Sequence, residues 1–194
     1  MRRLRKSRGL VWLVLALPGL VMIFRWTVTP ETYGYGHALA ESGDWSVWLL
    51  MVTLAVTPIR LAWGAKPAMK WLARHRRDLG VASFVYAAGH TVFYLWRKGS
   101  VELILAELGE IYLLLGWLAL ALFVPLAVTS NDVAVRALKR SWKRLHRLVY
   151  PAASLAFLHW ALSAFDPTTA LIHIGIMAAI EGWRVALQRR QRVT

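Results

Sequence analysis

Six apolar stretches, at 10–28, 45–63, 79–96, 110–129, 144–163 and 168–187, account for most of the chain. About 20 apolar residues carry one α-helix across a hydrocarbon core about 30 Å thick, so stretches of this length favour crossing a membrane over burial in a soluble core. Of the 194 residues, 58% are hydrophobic, against roughly 45–50% in a soluble domain. The excess lies in these stretches. The segments between them leave no room for a separate soluble domain of even ~50 residues. The expected fold is all-α, an integral membrane bundle of six transmembrane helices forming a single domain over 1–194.

The formal charge of +14 would suggest nucleic acid if it clustered on a soluble face. It follows the loops instead. Five Lys or Arg precede the first stretch, Arg2, Arg3, Arg5, Lys6 and Arg8; six lie over 60–77, six over 136–147 and four over 184–192. These 21 of the 24 basic residues fall on one side. The opposite loops hold Glu31, Glu41, Asp44, Glu102, Glu107, Glu110 and Asp166, with Arg25, Arg97 and Lys98 in or beside them. By the positive-inside rule the basic side is cytoplasmic, which places both termini in the cytoplasm and makes the number of spans even. The first stretch lacks an A-x-A cleavage site and is expected to be a retained anchor rather than a removed signal peptide. Pro18, Pro58, Pro125 and Pro151 fall inside spans and predict kinks, whereas Pro30, Pro67 and Pro167 mark turns.

With no cysteine in the chain, disulfides, thiolate zinc sites, iron–sulfur clusters and C-x-x-C-H haem attachment are excluded. Metal chemistry has to rest on histidine or carboxylate. Of the six histidines, His90, His146 and His159 lie in or at the edge of the third and fifth spans, where an ionisable side chain needs a partner. His90 sits about 11 residues into the third span and His159 about 15 into the fifth, and both spans run outward. The two imidazoles therefore share the outer half of the membrane at similar depth, as a six-coordinate haem iron requires. His146 precedes His159 by 13 residues, a rise of roughly 20 Å, which suits a second haem site on the cytoplasmic side. On an ideal helix the two side chains differ in direction by roughly 140°, unless Pro151 changes the pitch. His75, the nearest histidine to complete that second site, stands among Arg74, Arg76 and Arg77, where a solvated loop residue is the default reading. His37 and His173 read as ordinary interfacial residues. Most of the eleven Trp stand at span ends as an aromatic belt. Trp12, Trp48, Trp117 and Trp160 lie deeper and fill space or pack on a porphyrin.

Several short patterns join these histidines. Arg76, Arg77, Asp78, Leu79 and Gly80 precede the third span, and Tyr94 follows His90 by one turn. Thr129 and Ser130 close the fourth span, Thr57, Pro58, Ile59 and Arg60 end the second, and Trp142, Leu145, His146, Val149 and Tyr150 lead towards His159. Together they resemble the haem-binding membrane subunit of the bacterial periplasmic methionine sulfoxide reductase system, within the ferric-reductase-like transmembrane superfamily, over about 45–187. The W-x-x-L-H-x-x-V-Y run and the His146 to His159 spacing are the most specific parts. The resemblance implies b-type haem, one or two per chain, ligated by residues matching His90, His146 and His159. It further implies flavin mononucleotide (FMN) as a cofactor, electrons drawn from the quinone pool, and delivery to a periplasmic molybdopterin-containing catalytic subunit that repairs oxidised methionine. The setting it implies is the bacterial inner membrane. His75 departs from the family pattern. Beside this, Arg76, Arg77, Arg144 and Arg147 are suited to holding anionic haem propionates by charge-assisted hydrogen bonds, or serve only to set topology.

Two other readings remain at this point. A self-sufficient ferric-reductase-like cytochrome needs a cytoplasmic NADPH and flavin domain, and only seven residues follow Leu187, so a stand-alone version is expected to need a separate donor. A non-redox membrane protein would use the histidines as polar glue between helices.

Overall fold

In the computed structural model, the backbone is described for residues 2–64 and 66–193 and the side chains for 8–64 and 66–190. The side chains of Arg2, Arg3, Arg5, Lys6 and Arg192 lie outside the described residues. Among the described residues there is no strand. The long helices are α1 (Arg2–Val28), α2 (Tyr35–Trp63), α3 (Pro67–Lys98), α5 (Ile111–Val128), α8 (Val149–Ser163) and α9 (Thr168–Val193); α4 (Val101–Ala106), α6 (Asp132–Leu138) and α7 (Arg140–Leu145) are short. The packing is dominated by α2 against α3 and α5 against α8, with α9 on α2 and α1 on α3.

Among the described residues, five helices, α1, α2, α3, α5 and α9, are long and apolar enough to cross a membrane. The fifth apolar stretch differs from its expected form. It is divided into α7, a 3₁₀ turn over His146–Leu148, and α8 of 15 residues. Pro151 supplies the physical reason: its ring crowds the carbonyl four residues back, that of Arg147, and it has no N–H to bond there. At 15 residues, α8 is about 22 Å long, short of the hydrocarbon thickness unless the 3₁₀ turn and α7 extend it. In contrast, α2 and α3 begin well before their apolar cores, at Tyr35 and Pro67. Proline is favoured at a helix's first position, where the missing N–H costs nothing.

Side-chain hydrogen bonds tie α1 to α3. Tyr86 inserts its hydroxyl into the backbone ladder of α1, accepting from Gly19 N–H and donating to the Leu15 carbonyl, both at 2.8 Å. Such an insertion, one residue beyond Pro18, is a recognised cause of helix bending. Nearer the N-terminal end of α1, the buried Asp78 carboxylate accepts from Arg8 at 2.8 and 3.0 Å and from Trp12 Nε1 at 3.2 Å, and its other oxygen lies 3.0 Å from His75 Nδ1. Two apolar clusters complete the interior. Met22, Tyr33, Ala38, Leu49, Ala82 and Tyr86 form one at α1–α3, and Val47, Leu50, Leu54, Ala153, Phe157 and Met177 form another at α2, α8 and α9.

Candidate functional site: a cavity between two imidazoles

A cavity of about 550 Å³ opens between α2, α3, α5 and α8, close to the loops that follow α3 and α8. This volume is within the roughly 300–1,000 Å³ usual for cofactor sites. Val47, Ala87, Leu120, Phe123 and Ala156 make its walls apolar, and Trp117 and Trp160 line it as well. Asp44, Ser46 and Thr91 add polar groups to the lining, and Tyr94, Lys98 and Glu107 form a cluster near the loop that follows α3. Glu107 accepts a hydrogen bond from Tyr94 at 3.0 Å and forms an ion pair with Lys98.

His90 and His159 both line this cavity. Their ring centroids are 6.1 Å apart with planes at 82°. Two imidazoles holding one metal ion from opposite sides, with metal–nitrogen bonds of about 2 Å each, have centroids about 6 Å apart. Each ring is also held from behind. His90 Nδ1 is 2.9 Å from the Leu39 carbonyl, and His159 Nδ1 is 2.7 Å from the Tyr112 carbonyl. A carbonyl only accepts, so both Nδ1 atoms carry the proton and the Nε2 lone pair of each neutral ring is left for a ligand. A largely apolar cavity with two imidazoles at this spacing fits a haem, whose ring needs apolar walls and whose iron takes histidine nitrogen.

The other candidates lie elsewhere. His146 is outside the cavity. Its ring stacks on Trp142 at 3.9 Å, and its Nε2 is 3.0 Å from the Thr129 hydroxyl, which also bonds the Pro125 carbonyl. Arg76 and Arg77 are close enough for their charges to act on His146, while Arg144 and Arg147 are exposed beside it. Arg76 donates Nε–H to the Thr53 carbonyl at 3.0 Å, and Arg77 pairs with Asp132 at 2.6 Å. His75 is buried with its Nδ1 against Asp78, and no hydrogen bond or ring contact among the described residues joins it to His146. His37 stacks near Tyr33 and His173 bonds the Thr169 carbonyl of its own turn. No group of three or more His, Cys, Asp or Glu is placed to hold a metal ion among the described residues.

Sequence reasoning missed the carbonyls of Leu39 and Tyr112 behind the two imidazoles, and the joining of Tyr94, Lys98 and Glu107 into one cluster. The acid and the base were visible only as loop charges of the outer side.

Helices that bring two imidazoles to one largely apolar cavity define a class of helical membrane protein whose bundle offers a histidine pair to a bound group. Residues 42–157 match the family model described as the ferric reductase like transmembrane component. The chain belongs to that family, in the branch of the protein-methionine-sulfoxide reductase heme-binding subunits. It is 42% identical over 149 residues to the subunit MsrQ of Xanthomonas campestris pv. campestris (strain B100), covering 75% of this chain and 66% of the relative. It is 36% identical over 162 residues to MsrQ of Rhizobium meliloti (strain 1021), covering 79% of this chain and 73% of the relative. The match therefore spans just under two thirds of the Xanthomonas protein's length.

Proposed function

We propose that this chain is a b-type haem electron-transfer subunit of the bacterial inner membrane. It takes electrons from the quinone pool and passes them to a periplasmic, molybdopterin-containing methionine sulfoxide reductase subunit for repair of oxidised proteins. The observation that carries this reading is that His90 and His159 line one largely apolar cavity with their ring centroids 6.1 Å apart. The printed names of the relatives, heme-binding subunits of a protein-methionine-sulfoxide reductase, support it. A haem held between the two Nε2 atoms supplies one-electron transfer. The chain's own contribution is to orient both imidazoles through their Nδ1–H bonds and to exclude water with the apolar walls. FMN as a further cofactor rests on the family resemblance.

The visible spectrum of the purified protein tests this. His90→Ala or His159→Ala is expected to strip the haem or make it high-spin, while His37→Ala leaves the spectrum unchanged. An unaltered spectrum in His90→Ala would remove the pairing.

The same reading includes six spans with both termini cytoplasmic, α8 crossing together with the 3₁₀ turn and α7. The separation of 21 basic residues from the remaining three supports it. A reporter fused at Thr194 is expected to be active only if it is of the cytoplasmic type; a periplasmic signal sinks the arrangement.

A further inference from the structure

Each imidazole at the cavity rests on a neighbouring helix at the same kind of place. His90 of α3 donates to the carbonyl of Leu39 on α2, and His159 of α8 donates to that of Tyr112 on α5. In both cases the residue four positions further along the accepting helix is glycine, Gly43 and Gly116. Side chains on a helix tilt towards its N-terminus, so the residue at i+4 normally stands over the carbonyl of residue i. Here nothing stands over it.

The space left is taken by the imidazoles. A Cβ on Gly43 would lie 3.1 Å from His90 Nδ1 and 3.4 Å from its Cε1. On Gly116 it would lie 2.9 Å from His159 Nδ1, 3.1 Å from Cε1 and 3.3 Å from Cγ. The second contact is closer than real Cβ atoms tolerate, and the first requires the ring to give by a few tenths of an ångström. Gly43 and His90 are 47 residues apart and Gly116 and His159 are 43 apart, so two separate helix pairs use one device.

We infer that Gly43 and Gly116 are positioning residues: by lacking a side chain they uncover the Leu39 and Tyr112 carbonyls, which hold the protons of His90 and His159 on Nδ1 and leave both Nε2 atoms free for a metal. The inference rests on the proposed haem site. A hydrogen bond to the far nitrogen of a ligating histidine fixes its orientation and raises its basicity, and losing such a partner commonly costs about 10–100-fold in metal affinity. A more basic ligand favours the oxidised iron, so losing the bond raises the midpoint potential.

The test compares the full chain, purified in detergent, with Gly43→Ala, Gly116→Ala and Gly175→Ala. Gly175 is exposed on α9 with nothing within 4 Å of an added Cβ. Haem titration of the apoprotein is expected to show about 10–100-fold weaker binding for Gly116→Ala and a smaller loss for Gly43→Ala, with Gly175→Ala at wild-type affinity. In the loaded variants the low-spin absorption declines towards high-spin and the midpoint potential moves upward, while circular dichroism and elution volume stay as in wild type. If Gly116→Ala does not accumulate as folded protein, Gly43→Ala, with its milder contact, carries the comparison. Haem-free protein labelled with ¹⁵N-histidine supplies a separate readout: His90 and His159 carry the proton on Nδ1 in wild type, and the alanine variants lose that preference. Variants with wild-type affinity, spin state and potential overturn the inference. So does a wild-type haem-free protein with its protons on Nε2. A wild-type chain that takes up no haem sinks the proposed function, and the tautomer measurement then decides this inference by itself.

Discussion

Replacing Tyr86 by Phe removes one oxygen and keeps the ring, which isolates the hydrogen bonds that fasten α1 to α3. The hydroxyl serves two backbone groups of α1, Gly19 N–H and Leu15 C=O, at 2.8 Å each. Orphaning both would cost about 1–3 kcal/mol apiece, in surroundings with little water to take over. However, Leu15 C=O and Gly19 N–H are themselves an i, i+4 pair, so the helix can close over the gap and recover one direct bond. The expected loss is therefore about 1–2 kcal/mol, near the net value of one or two hydrogen bonds. Reversible unfolding by denaturing detergent measures it, together with amide exchange at Gly19. Wild-type stability with unchanged protection at Gly19 would show that the ladder of α1 is closed without Tyr86. A loss above about 4 kcal/mol would show that the ladder cannot re-close.

In the cluster near the loop that follows α3, the hydrogen bond from Lys98 and, less strongly, that from Tyr94 hold the Glu107 carboxyl below its ordinary range. A depressed folded value means that the pairing is fully present above the unfolded carboxylate pKa of about 4.3 and is lost as pH falls through the folded value. Amide exchange over 99–110, corrected for intrinsic rate, should quicken between about pH 5 and about pH 3 in wild type but not in Glu107→Gln; equal profiles would remove Glu107 as the cause. For His146, a second haem predicts two irons per fully loaded chain and a fall towards one in His146→Ala. A clean one-to-one ratio in wild type would leave His146 with Trp142 and Thr129 only.

The helical membrane class and the alternation of basic loops were legible in the chain because each is a local property. An apolar run of sufficient length has few stable alternatives to a spanning helix, and loop charge needs no partner to act. That His90 and His159 come near each other was legible too, since position along a helix follows from residue count once the helices are set. The start of α3 at Pro67 could be read from proline's preference for a first position, and the 3₁₀ turn before α8 from Pro151.

Packing decided the remainder. His75 stands among arginines in sequence, yet it is buried against Asp78 because α1 brings Arg8 and Trp12 to the same carboxylate. Tyr86 follows no motif that would mark it as a bridge into α1. Gly43 and Gly116 look like ordinary helical glycines until α3 and α8 lay imidazoles over them. The sequence by itself determined that the chain carries apolar helices of membrane length and how far along its helices the histidines lie, because hydropathy and rise per residue act along one helix. Only the tertiary structure decided which nitrogen of each histidine carries the proton, because that choice belongs to a carbonyl on another helix, more than forty residues away.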